Sequence, residues 1–114
     1  MIYLSTHTLD SSNGTHASGI KVKLSALLND NKLIEIWSRE TDKDGRLIVE
    51  FELADKYKGC ELQLSYNIEN HFLKSDKGVQ TKSISLNVNL PETDGRYHLP
   101  IIISPYGASL WWSH

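Results

Sequence analysis

The chemistry this chain can offer starts with a histidine set in its densest apolar run, Tyr97-His98-Leu99-Pro100-Ile101-Ile102-Ile103-Ser104-Pro105-Tyr106-Gly107. Imidazole titrates near neutral pH, so it can take or give a proton under ordinary conditions. Side chains alternate along a strand with a period of two. Leu99, Ile101 and Ile103 therefore face one way, and His98, Pro100 and Ile102 the other. If the first set fills the core, the second makes an outer face that is part apolar and carries the imidazole. Such a face is usually covered, and in a small domain often by another copy of the chain. The expectation is a β-sandwich whose outer sheet face, centred on His98, is an oligomer interface and holds a site.

Other reactive side chains are sparse. His7 falls on the more polar face of a strand predicted over Ile2 to Thr8, with Tyr3 and Ser5, while Ile2, Leu4 and Thr6 share the opposite face. His16 follows the loop Asp10-Ser11-Ser12-Asn13-Gly14 and reads as solvated, and His71 reads as a surface or capping residue. Arg46 ends Thr41-Asp42-Lys43-Asp44-Gly45-Arg46, where Asp44-Gly45 is a tight-turn dipeptide between two strands. The Asp-x-Asp-Gly spacing there suggests a calcium loop, but the twelfth position would be Phe51, so that pattern fails. The single cysteine, Cys60, excludes an internal disulfide framework and a Cys-based zinc site.

The elements that must position these residues are short strands. After Ile2 to Thr8 come Ile20 to Leu27, with Ile20, Val22, Leu24 and Ala26 inward, then Leu33 to Thr41, Leu47 to Leu53, Cys60 to Asn67 and the alternating Ile84 to Leu90. Glu69 to Lys77 is the one segment that could be a helix, about two turns long and too short to stand without tertiary packing. This all-β pattern reads as a sandwich. At 114 residues the chain is a single domain, 1–114. A net charge of -2 with no Lys/Arg cluster gives no reason to expect nucleic acid or an anionic membrane as partner. No apolar run reaches spanning length and no leader pattern precedes the first strand, so the expected location is cytoplasmic.

Three pieces of the chain together resemble the transthyretin-related 5-hydroxyisourate hydrolases. They are Leu4-Ser5-Thr6-His7-Thr8-Leu9-Asp10, Thr41-Asp42-Lys43-Asp44-Gly45-Arg46, and the run from Tyr97 to Gly107. The resemblance implies a transthyretin-like β-sandwich of two four-stranded sheets with one short helix. It also implies a homotetramer, a dimer of dimers with sites in the channel between dimers. The implied activity is a cofactor-free, metal-free hydrolysis in urate (purine) degradation. Water opens the cyclic amide ring of 5-hydroxyisourate to give 2-oxo-4-hydroxy-4-carboxy-5-ureidoimidazoline. The family's histidine near the N-terminus corresponds to His7, its arginine after the Asp-Gly turn to Arg46, and its histidine in the last long strand to His98. Hormone-binding transthyretin replaces all three.

The implied chemistry suits these residues. Ring opening needs a water stripped of a proton, a site for developing negative charge and a proton for the leaving nitrogen. A histidine pair supplies base and acid, and arginine offers a planar fork of donors to the oxygens of an acidic, purine-like ring. His7 and His98 are thus the catalytic candidates, with water activation favouring His98, and Arg46 binds substrate. The C-terminus departs from the family, which closes with Ser-Thr-Tyr-Arg-Gly-Ser; this chain reads Ser109-Leu110-Trp111-Trp112-Ser113-His114. An indole donates one N–H and cannot accept a proton, so a tyrosine role would not survive intact. Trp111 could stack on a planar substrate or pack between subunits, and His114 could supply a donor or acceptor in place of the family's terminal serine. Three other readings stay open. One is a non-enzymatic binding module for a flat aromatic ligand, another a hydrolase with a different heterocyclic substrate. The last is a metal site of His7, His98 and His114, which no carboxylate or cysteine spacing supports.

Overall fold

The computed structural model describes residues 1–73 and 80–113. The end of the predicted helix, from 74 onward, and His114 lie outside the described residues. The strands are β1 (Ile2–Asp10), β2 (Thr15–His16), β3 (Lys21–Leu27), β4 (Leu33–Glu40), β5 (Arg46–Phe51), β6 (Glu61–Asn67), β7 (Ser83–Val88), β8 (Arg96–Ser104) and β9 (Gly107–Leu110). A 3-10 turn covers Asp55–Tyr57, and a single helical turn, α1, covers Glu69–Phe72.

Two sheets stack face to face. One runs β4-β3-β6-β7; the other runs β2-β1-β8-β9, with β5 also paired to β1. The second therefore has five strands rather than the expected four, because the two-residue β2 joins it. Along β1, and along β8 from His98 onward, burial alternates residue by residue, as a sheet with one covered face requires. Leu4 from β1 and Leu99, Ile101 and Ile103 from β8 meet Val22, Leu24, Leu62, Leu64 and Tyr66 from the other sheet. Each such side chain, fully buried, contributes about 1.5–3 kcal/mol from its apolar area.

A buried polar contact ties the layers together. Thr6 Oγ1 lies 2.6 Å from the Leu99 carbonyl and 2.8 Å from Tyr66 Oη. Threonine has one hydroxyl proton and a carbonyl can only accept. Thr6 therefore donates to Leu99, and Tyr66 donates to Thr6. Burial, offset in part by this bond, pushes the Tyr66 phenol up to about 12.

The link between β4 and β5 is not a hairpin, since these strands belong to different sheets. Thr41, buried, accepts from the Ile20 N–H at 2.9 Å as the chain crosses over. Asp42 Oδ1 then accepts from the N–H groups of Asp44 and Arg46, both at 2.9 Å. Gly45 has φ +74°, and a Cβ there would collide with the Thr8 carbonyl, so only glycine lets the turn lie against β1.

His71 is no surface residue. Its Nε2 lies 2.8 Å from Asp10 Oδ2, and that carboxylate is only 4% exposed. The pair pins α1 to the end of β1. Burial alone would raise the Asp10 carboxyl, but hydrogen bonds from Ser12 and His71 outweigh it and hold the group below its ordinary value.

Candidate functional site

Strand register gathers the chemistry on the outer face of the five-stranded sheet. His7 on β1 stands opposite Arg46 at the start of β5 and beside Pro100 on β8. Ser5, two residues earlier, pairs with Ile48 and with His98. His7 and His98 are thus diagonal neighbours on adjacent parallel strands, and both are half-buried. The turn described above delivers Arg46, exposed, to the far side of His7.

The C-terminal segment closes the other side. Leu110 pairs with Ile101, and the Trp111 N–H reaches the Pro100 carbonyl at 3.3 Å. Ser113 then bridges to His98, its N–H 2.8 Å from the His98 carbonyl. Paired residues share a face, so Trp111 and Ser113 flank the same patch as Pro100 and His98. Trp112 takes the opposite side and meets the Tyr97 ring edge-on at 6.1 Å. β9 ends at Leu110 for a physical reason. Within a strand residue, N–H and C=O point to the same neighbour, so the missing N–H of Pro100 leaves the Trp111 carbonyl without its ladder donor.

The two imidazoles are held differently. His98 Nδ1 lies 2.7 Å from Ser5 Oγ, which is 3.4 Å from the Tyr97 carbonyl. With the serine proton directed at that carbonyl, Ser5 accepts from His98 Nδ1–H, and Nε2 keeps its lone pair. His7 Nε2 lies 3.1 Å from the Asp44 carbonyl and 3.0 Å from His16 Nδ1. Burial and then the Arg46 guanidinium lower His7 from its ordinary value; His16 and His98 lower it further, and the Asp44 carbonyl opposes them. At neutral pH His7 is therefore a neutral imidazole able to accept a proton.

The register thus brings His7, Arg46, His98 and Trp111 to one face, while His114 is outside the described residues. Sequence reasoning passed over Ser5 and His16. Ser5 shares the face of His7 by alternation, which was the available signal. His16 is exposed but not merely solvated: the Asn13-Gly14 turn folds it back beside Leu9, within reach of His7. The face is apolar around its charges. Ile48 is 70% exposed and Trp111 46% exposed, beside half-buried Pro100 and Ile102. Among the described residues no group of three or more His, Cys, Asp or Glu side chains is arranged to hold a metal ion. Nor is any described helix long and apolar enough to cross a membrane.

Fold and face together define a two-sheet sandwich of the transthyretin kind. The HIUase/Transthyretin family profile matches residues 4–112, and the chain belongs to that family. Among curated proteins, it is 29% identical to the 5-hydroxyisourate hydrolase of Pseudomonas aeruginosa, over 95% of this chain and 88% of that one. It is 31% identical to the enzyme of the same name from Caulobacter vibrioides, over 95% of each. Among solved structures, 5-hydroxyisourate hydrolase from Klebsiella pneumoniae superposes with a TM-score of 0.77 at 26% identity over 100% of both chains. Transthyretin from Sparus aurata superposes with a TM-score of 0.78 at 20% identity, over 96% of this chain and 95% of that one, a likeness of fold.

Proposed function

We infer that this protein is a 5-hydroxyisourate hydrolase, opening the cyclic amide ring in urate degradation. One observation carries the reading: strand register sets His7, Arg46 and His98 side by side on one accessible face, in a chain whose relatives bear that name. His98 is the better base, because Ser5 engages Nδ1 and leaves Nε2 free to take a proton from water. The hydroxide adds to the amide carbonyl, and Arg46 stabilises the charge that develops on oxygen. The C–N bond then breaks, the imidazolium returns its proton to the leaving nitrogen, and the carboxylic acid that is left gives up its own proton to water. His7, neutral and diagonal to His98, positions the substrate or shares in the proton transfer. Trp111 offers a flat wall to a planar ring.

No step in this scheme calls on a metal or cofactor. The reading includes a cytoplasmic homotetramer, a dimer of dimers. The apolar outer face around Ile48, Pro100 and Trp111 is the surface a partner subunit would cover, and covering it would exclude bulk water from the site. The test is turnover of 5-hydroxyisourate freshly generated from urate by urate oxidase, against its spontaneous decay, with His98→Ala run alongside. Loss faster than background for the wild type alone establishes the hydrolase. Background decay for both refutes it, and leaves a binding module for a flat aromatic ligand, or a different heterocyclic substrate, as the reading favoured by Trp111.

A further inference from the structure

We propose that His16 is a proton-handling partner of His7, holding its Nε2 protonated and linking it to solvent. The proposal rests on the reading of His7 as part of the hydrolytic site. Two acceptor-capable atoms converge on His7 Nε2: the Asp44 carbonyl at 3.1 Å and His16 Nδ1 at 3.0 Å. A carbonyl oxygen can only accept, so Nε2 must carry a hydrogen; the other tautomer would point a lone pair at Asp44. His16 Nδ1 is then the second acceptor, which places the His16 proton on its own Nε2. No described residue hydrogen-bonds His7 Nδ1, the nitrogen left basic.

The two acceptors are not equivalent. The Asp44 carbonyl can fix the tautomer but cannot carry a proton away. His16 can. When His7 takes a proton at Nδ1, its Nε2 proton can pass to His16 Nδ1, and His16 releases its Nε2 proton to water. When Nδ1 gives its proton back, the same transfers run in reverse, so neither ring accumulates charge. The placement suits this traffic: His16 sits on the exposed two-residue strand β2, paired to Leu9, with its ring 5.1 Å from that of His7 and tilted by 34°. Arg46 on β5 and, once it has taken a proton, His98 on β8 face His7 from two further strands, and both resist a lasting charge on it. A site with that field gains from an outlet.

The experiment compares wild type, His16→Ala and His16→Asn in the 5-hydroxyisourate assay, in dilute buffer and with added imidazole. Asparagine keeps an acceptor where Nδ1 stood but cannot relay a proton. Both variants should lose about 10-fold in kcat in dilute buffer with KM unchanged, less than the roughly 100- to 10,000-fold of a group that exchanges the proton with substrate directly. Imidazole should restore His16→Ala. Wild-type rates in either variant in dilute buffer, or a defect that imidazole leaves untouched, overturn the proposal. A second arm stands even if the wild type shows no turnover. Ring nitrogen NMR should find neutral His7 and His16 both protonated at Nε2, and His16→Ala should move the His7 titration. A His7 protonated at Nδ1, or an unmoved titration, refutes the pairing without reference to activity.

Discussion

The hydrogen bond between the sheets makes an unequal demand on its two ends. Tyr66 donates to Thr6, and Thr6 donates to Leu99. Tyr66→Phe removes a donor and leaves Thr6 still bonded to the Leu99 carbonyl, so the loss is one ordinary hydrogen bond, about 0.5–1.5 kcal/mol. Thr6→Val keeps the shape but takes away the only acceptor, among the described residues, of a phenol whose residue is 0% exposed. Stranding that hydroxyl costs about 1–3 kcal/mol, on top of the bond lost to Leu99. The Thr6 variant should therefore be the less stable by about 1–2 kcal/mol. In the double variant no hydroxyl is stranded, so its loss should fall short of the sum of the single losses by a similar ~1–2 kcal/mol. Urea unfolding at fixed protein concentration, followed by tryptophan fluorescence, measures all three against the wild type. Equal single losses that simply add would refute the donor assignment.

Three further outcomes follow from the same geometry. Ser5→Ala removes the partner of His98 Nδ1, and loss of about 1–1.5 kcal/mol of orientation should lower kcat roughly 10-fold in the 5-hydroxyisourate assay, with KM little changed. Gly45→Ala forces a left-handed φ on a residue with a Cβ and drives that carbon into the Thr8 carbonyl, so thermal unfolding should reveal a loss well above the ~1 kcal/mol of the backbone strain alone. The Asp10 carboxyl is held below its ordinary value of 3.8, so its share of stability is present above that pH and is lost as the pH falls below it through the folded-state value; Asp10→Asn should flatten the acid limb of a stability–pH curve.

The alternation of Ile2, Leu4 and Thr6 against Tyr3, Ser5 and His7 was legible because β1 has one covered face, and a period of two then fixes every side chain. The same logic gave the two faces of β8. Pairing between strands was less accessible. Nothing local says that β1 runs parallel to β8, yet that register alone makes His7 and His98 neighbours. The Asp44-Gly45 dipeptide marks a tight turn between two strands, as it proved to be; only the distribution of strands between sheets reveals that the turn lies in a crossover. The partners of His16 and His71 were missed for one reason. Each is a polar residue near a loop, and the partners that engage them, His7 and Asp10, come from β1 through tertiary contact.

The C-terminal segment bears on how the work is divided. Its register sets Trp111 and Ser113 along the face that carries His98 and turns Trp112 away. Where the family has a tyrosine hydroxyl, this chain therefore has an indole, a large flat surface with one donor and no acceptor. Proton transfer cannot pass through that position. In the proposed mechanism it falls instead on the imidazoles, each with a polar partner on one ring nitrogen: Ser5 on His98, and His16 with the Asp44 carbonyl on His7. With an indole at Trp111 and a further histidine, His16, behind His7, the proposed mechanism keeps its acid–base chemistry among imidazoles and leaves Trp111 to shape the space in which the ring must lie.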